Sequence, residues 1–367
     1  IMGSLALRTG MSQSLYNAGE ALFGHWRGGL SIGTIVACAG FGAICGSSLA
    51  TAATMSRISI PEMQRRGYAD GFSAATVAAG GTLGVLIPPS IILVIYGILT
   101  EQSIGRLFVA SLIPGLLATL LYGIAVFVTA RMKQELCPAT AVAPTSHRLK
   151  QLSGAWPVLA LFVVVLGGMF TGQFSPTEAA SVGVIGVLTI ALFRRTLSLQ
   201  TLIESIKESA SLTGLIFMIL IGAALFNYFI EATQITHILV SWISDSGFST
   251  WQVVLVILLM YIVLGCFVDS ISMIFLTIPF IYPIILAHQL DPIWFGILLL
   301  SVVEIGLITP PVGMNLFVVK AAVPSLSMAT LYRSILPFLA ADFVRLALIA
   351  MIPALSLGLV SVFYGGN

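Results

Sequence analysis

Two Pro-Pro pairs and one isolated aspartate are the residues of this sequence best placed to do chemistry. Pro88-Pro89 closes the stretch Gly84-Val85-Leu86-Ile87, and Pro310-Pro311 closes Gly306-Leu307-Ile308-Thr309. Proline has no backbone N–H, and its ring clashes with the carbonyl four residues back. Each pair therefore breaks an apolar helix and frees the carbonyls of Gly84 and Val85 in one place, of Gly306 and Leu307 in the other. Unpaired carbonyls in an apolar medium are costly unless something binds them. A dehydrated Na⁺, which is hard and takes several oxygen ligands, is a suitable partner. Ser47 and Ser48 near the first break, and Asp269, Ser270 and Thr309 near the second, add side-chain oxygens. The pattern predicts two Na⁺ sites. The bland alternative is two structural kinks whose carbonyls are satisfied by Ser, Thr or water.

A second chemistry is anion binding. The run Gly46-Ser47-Ser48-Leu49-Ala50-Thr51 reads as a chain break followed by a helix start. A helix N-terminus presents free N–H groups and the positive dipole end, which suits a carboxylate. Gly46, Ser47 and Thr51 are therefore candidate substrate-binding residues, with Asn315 as a donor to an oxygenated solute or, equally, an interhelical hydrogen-bond partner. Asp269 is the only charge between Asp245 and His288. An intramembrane carboxylate is functional by default, although one near a chain break can simply cap a helix. Glu304 pairs with a neighbour or serves the second break. Arg106, Arg131 and Arg345 lie at span ends and read as interface anchors. No HExxH, GxSxG, GxGxxG or Walker pattern occurs, and the four histidines, His25, His147, His237 and His288, are scattered. The sequence does not read as an enzyme.

These residues need a membrane to make sense. Of 367 residues, 58% are hydrophobic and 8% charged, too few charges to coat a water-facing surface. No Asp, Glu, Lys or Arg lies within 28–56, 71–100, 107–130, 151–177, 209–230 or 246–268. Each gap is close to the roughly 20 residues that cross a hydrocarbon core, and continuous apolar runs select helices over barrel strands. The fold class is an all-α polytopic membrane protein. A net charge of +2 argues against nucleic acid as a partner. Four cysteines without metal spacing read as small core residues. Three basic segments (Arg57, Arg65 and Arg66; Arg131, Lys133, Arg148 and Lys150; Arg194, Arg195 and Lys207) are placed on the cytoplasmic side.

The chain repeats itself. Gly84–Pro89 aligns with Gly306–Pro311 at an offset of 222, which also aligns Gly46-Ser47-Ser48 with Val268-Asp269-Ser270. Residues 1–28 form an amphipathic arm, expected to follow an N-terminal span that is missing. Repeat 1 covers 29–130: a re-entrant hairpin 29–57, a Pro-Pro-broken helix 71–100 and a span 107–130. A cytoplasmic loop, including an amphipathic link over 196–208, and scaffold spans fill 131–230. Repeat 2 covers 231–362: a hairpin 247–287, a broken helix 292–322 and a span 331–362. Three spans separate the copies, so the second is inverted. Inverted repeats with discontinuous helices are the architecture of secondary transporters.

At this point a resemblance appears. Gly46-Ser-Ser-Leu-Ala-Thr-Ala-Ala-Thr54, Pro61-Glu-Met, Gly67-Tyr68, Gly84-Val-Leu-Ile-Pro-Pro-Ser90 and Ile113-Pro-Gly115, with Asp269–Pro283 and Gly306–Asn315, resemble the large membrane subunit of tripartite ATP-independent periplasmic (TRAP) transporters, essentially end to end. The resemblance implies a Na⁺-driven importer of small organic acids, such as dicarboxylates and sialic acids, in the bacterial inner membrane. It implies a small four-helix membrane subunit and a periplasmic substrate-binding protein as partners, and an elevator motion in lipid. By matching positions, Ser47, Ser48, Gly84, Pro88 and Pro89 would hold one Na⁺, and Asp269, Ser270, Gly306, Thr309 and Pro310 the other. The alternative is an assembly or permease subunit of another transport system without ion sites of its own.

Overall fold

The computed structural model describes residues 1–138, 144–245 and 247–365. Loop positions 139–143 and the side chains of His147 and His237 lie outside the described residues. The described residues form seventeen α-helices and no strand. An arm of α1 (Met2–Arg8) and α2 (Met11–Phe23) leads into a hairpin of α3 (Gly29–Cys45) and α4 (Ser48–Arg65). A broken pair, α5 (Asp70–Leu86) and α6 (Ile91–Leu99), bends by 40°, and α7 (Ile104–Met132) follows. Three long helices come next: α8 (Thr145–Phe170), α9 (Pro176–Phe193) and α10 (Leu199–Ala232). The pattern then returns. After α11 (Ile235–Asp245) comes a hairpin of α12 (Thr250–Gly265) and α13 (Ser270–Ala287), a broken pair of α14 (Pro292–Ile308) and α15 (Met314–Ala322), and α16 (Met328–Met351) with α17 (Ala354–Tyr364). Six helices of the described residues are long and apolar enough to span a membrane, seven if α5 and α6 count as one bent span. The chain is a polytopic α-helical membrane protein.

The repeat is carried by helix boundaries. Helices α4 and α13 start at 48 and 270 and end at 65 and 287; α5 and α14 start at 70 and 292 and end at 86 and 308. All four boundaries are 222 positions apart. Local chemistry sets them. Ser103, Ser175, Ser198, Ser249, Asp291 and Ser327 each accept a backbone N–H at the start of a long helix, a cap that stabilises by about 1 kcal/mol. Small residues then let the copies close. A Cβ on Gly42 of α3 would lie 2.5 Å from the Gly84 Cα of α5, and one on Gly306 of α14 would lie 2.6 Å from the Gly265 Cα of α12. Side-chain-free contact of this kind is how membrane helices approach without a hydrophobic driving force. The core lies around α5 and α14, where every residue of Ile293–Ile308 is buried. By contrast, α10 leaves Leu215, Phe217, Met218 and Leu225 exposed.

Four expectations change. The hairpin does not end at residue 57: α4 runs through Pro61 to Arg65, its last turn held by Glu62 pairing with Arg65 and Arg66. Arg57 is therefore helical, not a loop cation. The link over 196–208 is not separate from the next span, because the Ser198 cap starts one continuous helix, α10. The last span of 331–362 is two helices, interrupted at Ile352-Pro353. Arg345 is no interface anchor; it is fully buried, paired with Glu304 at 2.7 Å and Asp342 at 3.1 Å.

Candidate functional site

Both chain breaks inside the hairpins are helix starts. Gly46 takes φ 66°, a left-handed conformation that turns α3 sharply into α4 at little cost to glycine. The Ser47 hydroxyl then accepts from the Ala50 N–H at 3.4 Å. In the second copy Asp269 does the same work more strongly: its Oδ1 accepts from the N–H groups of Ile271 and Ser272, each at 3.0 Å. Ser47 and Asp269 are equivalent positions, 222 apart. Asp269 Oδ2 lies outside those bonds.

The two tips face one space. A small cavity of about 80 Å³ is lined by Gly46, Ser47 and Ser48 from one hairpin, Asp269 and Ser270 from the other, and Met314 at the start of α15. The N-termini of two 18-residue helices, α4 and α13, thus meet at a cavity with three serines and one carboxylate. Amides and helix dipoles attract an anion; hydroxyl, carboxylate and carbonyl oxygens suit a hard cation. The lining carries groups suited to each.

The proline breaks lie behind the tips. In the first copy, a Cβ on Gly46 would be 3.3 Å from the Pro89 carbonyl, and one on Gly84 would be 3.0 Å from Thr51 Oγ1 and 3.2 Å from the Ser47 carbonyl. Gly46, Ser47, Thr51, Gly84 and Pro89 therefore form one oxygen-rich neighbourhood, with Pro88 beside it in a cis Pro-Pro bond. Pro310-Pro311 is also cis. There the Gly313 N–H donates to the Cys266 carbonyl at 3.3 Å, pinning the break to the second tip.

Several expected ligands also make hydrogen bonds within the chain. The Thr51 hydroxyl donates to the Ser47 carbonyl at 2.8 Å, and the Thr309 hydroxyl to the Ile305 carbonyl at 2.6 Å. The Gly306 carbonyl accepts the Thr309 N–H at 3.2 Å, where the chain closes a tighter turn before the prolines. Gly306 packs closely against Gly265, and Gly306, Thr309, Pro310, Pro88, Pro89, Thr51 and Gly84 are not among the residues lining the tip cavity. Asn315 makes an interhelical hydrogen bond, the alternative the sequence left open. It is fully buried, and its Nδ2 donates to the Ala78 carbonyl of α5 at 3.1 Å.

Val85 and Leu307, whose carbonyls the sequence expected to be freed, line the tip cavity, whereas sequence reasoning missed Met314 and Leu212 there. Met314 follows closely on the second proline pair, a signal that was there to use; Leu212 of α10 arrives only through tertiary packing. A larger cavity, about 800 Å³, lies between α4 and α15 and is lined by Ser56, Arg57 and Gln64 together with Val318, Ala322 and Ser325. Arg57 is the charged residue among those lining it.

Comparison with known proteins follows the same lines. Residues 1–355 match the family described as Tripartite ATP-independent periplasmic transporter, DctM component. The chain is 38% identical over 360 residues to the C4-dicarboxylate TRAP transporter large permease protein DctM of Pseudomonas aeruginosa, covering 98% of this chain and 84% of that one. It is 33% identical to the sialic acid TRAP transporter large permease protein SiaM of Vibrio cholerae, over its whole length and 85% of the relative's. Among solved structures, the Alcanivorax borkumensis YdaH transporter matches with a TM-score of 0.66 at 16% identity, over 98% of this chain and 85% of that one, a likeness of fold. The relatives are named as transporter permeases, not enzymes.

Proposed function

This chain belongs to the DctM component family of tripartite ATP-independent periplasmic transporters, multi-pass proteins of the bacterial inner membrane, and from that premise we propose that it is the translocating subunit of a Na⁺-driven importer of a small organic acid. The observation that carries the reading is the convergence of Ser47, Ser48, Asp269 and Ser270 on one cavity between two helix N-termini. A carboxylate group of the solute accepts from the free amides of α4 and α13. Na⁺ sits beside it on the hydroxyls, on Asp269 Oδ2 and on backbone oxygens around Gly46 and Gly84, so that each charge lowers the cost of bringing the other out of water. That mutual dependence is the coupling. Relatives named for C4-dicarboxylate and sialic acid carry a carboxylate in common, which supports this substrate class.

The cavity beside Arg57 serves as the cytosolic outlet in this reading, since Arg57 belongs to the basic segment that includes Arg65 and Arg66. The two hairpins and broken helices move together as an elevator against α8–α10. A small four-helix membrane subunit covers the bare apolar surface of the scaffold, and a periplasmic binding protein delivers the solute. The test is uptake into liposomes carrying the chain with its small subunit and binding protein. Uptake collapses when the Na⁺ gradient is replaced by K⁺; undiminished uptake in K⁺ refutes Na⁺ coupling and favours a permease subunit without its own ion sites.

A further inference from the structure

Five buried side chains tie the last turns of α5 and α14 to each other. Thr82 of α5, Tyr122 of α7, Glu304 of α14, and Asp342 and Arg345 of α16 are all at most 1% exposed. Thr82 Oγ1 is 3.1 Å from the Tyr122 hydroxyl, which donates to Asp342 Oδ2 at 2.7 Å. Arg345 Nη2 is 3.1 Å from Asp342 Oδ1, and Arg345 Nη1 is 2.7 Å from Glu304 Oε2. These contacts run without a gap from repeat 1 to repeat 2. A second tie lies beyond the second break, where Asn315 Nδ2 of α15 donates to the Ala78 carbonyl of α5 at 3.1 Å. Repeat 1 therefore holds the second break on both flanks, α14 through the chain of contacts from Thr82 and α15 through Asn315.

Position and chemistry give this joint a task beyond packing. Thr82 and Glu304 are equivalent positions, 222 apart. Each stands three residues, about one helical turn, before a residue that lines the tip cavity: Val85 in one copy, Leu307 in the other. Between them, Gly84 packs on Gly42 of α3 and Gly306 on Gly265 of α12. Whatever fixes Thr82 and Glu304 thus fixes the helix ends that build the site and the hairpins that rest on them. A buried ion pair is a poor source of stability, because well-packed apolar residues do as well or better, and a charge inside the membrane is costly. What the charges and hydroxyls add is direction. A satisfied buried polar network is rigid, so the two helix ends share one geometry as long as its contacts hold.

We propose that Tyr122, Asp342 and Arg345 are positioning residues that join the two breaks into one unit, so that Na⁺ is taken up cooperatively. This rests on the Na⁺-coupled reading above. None of the three lines the tip cavity; they act through Thr82 and Glu304. An ion held around Ser47 and Gly84 orders the end of α5. The joint carries that order to α14, so less ordering is left to do when a second ion binds beside Asp269. Tyr122 is the link to cut. Phenylalanine keeps the ring and its edge-on contact with Phe338, and leaves Asp342, Arg345 and Glu304 in place. It removes the hydroxyl that joins Thr82 to Asp342.

The test is the initial rate of uptake across a series of Na⁺ concentrations, in liposomes carrying the chain with its small subunit and binding protein, with melting temperature taken on the same samples. The unmodified chain is expected to give a sigmoidal Na⁺ curve. Tyr122→Phe raises the half-saturating Na⁺ concentration about fivefold or more, the lower end of the usual coupling between two sites. It also brings the Hill coefficient toward unity, while the maximum rate at saturating Na⁺ stays near that of the unmodified chain. A lower melting temperature with an unchanged Na⁺ curve overturns the proposal and leaves the cluster as packing. So does a hyperbolic Na⁺ curve in the unmodified chain, which keeps Na⁺ coupling but leaves no cooperation to lose. Uptake indifferent to Na⁺ in the unmodified chain refutes the Na⁺-coupled reading itself, and this inference with it. If Tyr122→Phe does not fold, Thr82→Val cuts the same link from the repeat 1 end and is read by the same curves.

Discussion

Asp269 separates a helix cap from an ion ligand, because two substitutions divide its oxygens between those roles. In the structure Oδ1 accepts two backbone N–H groups at 3.0 Å, Oδ2 takes no part in those bonds, and Asp269 lines the tip cavity. Asp269→Ala removes both functions. Loss of the cap costs about 1 kcal/mol of stability. Asp269→Asn keeps an oxygen at Oδ1, and asparagine caps as well as aspartate, so stability stays within a few tenths of a kcal/mol. What Asn removes is the negative charge at Oδ2. A charge-assisted ligand contributes about 2 kcal/mol, which corresponds to roughly a thirtyfold weaker apparent Na⁺ affinity. The assay is uptake in liposomes against a series of Na⁺ gradients, with melting temperature measured on the same samples. The expected outcome is that Ala lowers the melting temperature and Asn does not, while both shift the Na⁺ dependence by a similar factor. Wild-type Na⁺ dependence in Asp269→Asn would refute the reasoning and leave Asp269 as a cap only.

Two further outcomes follow from the packing and the outlet. Gly42→Ala places a methyl 2.5 Å from the Gly84 Cα, backbone against side chain with no rotamer to relieve it; overpacking of this kind costs about 1–3 kcal/mol, read as a fall in melting temperature, and an unchanged value would show that α3 and α5 do not cross here. Arg57→Gln removes the charge from the cavity between α4 and α15. An exposed ion contact is worth up to about 1 kcal/mol, so counterflow from the cytosolic face should show a severalfold weaker solute affinity at low salt that converges with wild type at high salt; equal affinities at low salt would remove Arg57 from the path.

Much of this protein was settled by its sequence. Charge-free runs of span length place helices in lipid, and two proline pairs must interrupt helices wherever they occur, because the missing N–H and the ring clash are local facts. The 222-residue offset was legible for the same reason: caps and breaks are short-range, so they recur where the same few residues recur. The tertiary structure decided what those breaks face. Ser47 and Asp269 line one cavity because two hairpins, folded separately, converge on it. Asn315 has the chemistry of a solute donor, yet the Ala78 carbonyl, 237 residues away, takes its Nδ2. The Gly306 carbonyl, expected to be freed by the prolines, accepts the Thr309 N–H. Arg345, placed by position at a span end, is fully buried because Glu304 and Asp342 are there to meet it. A residue's capacity to bind is written in its own atoms; whether that capacity is already spent depends on partners that only long-range packing brings within 3 Å.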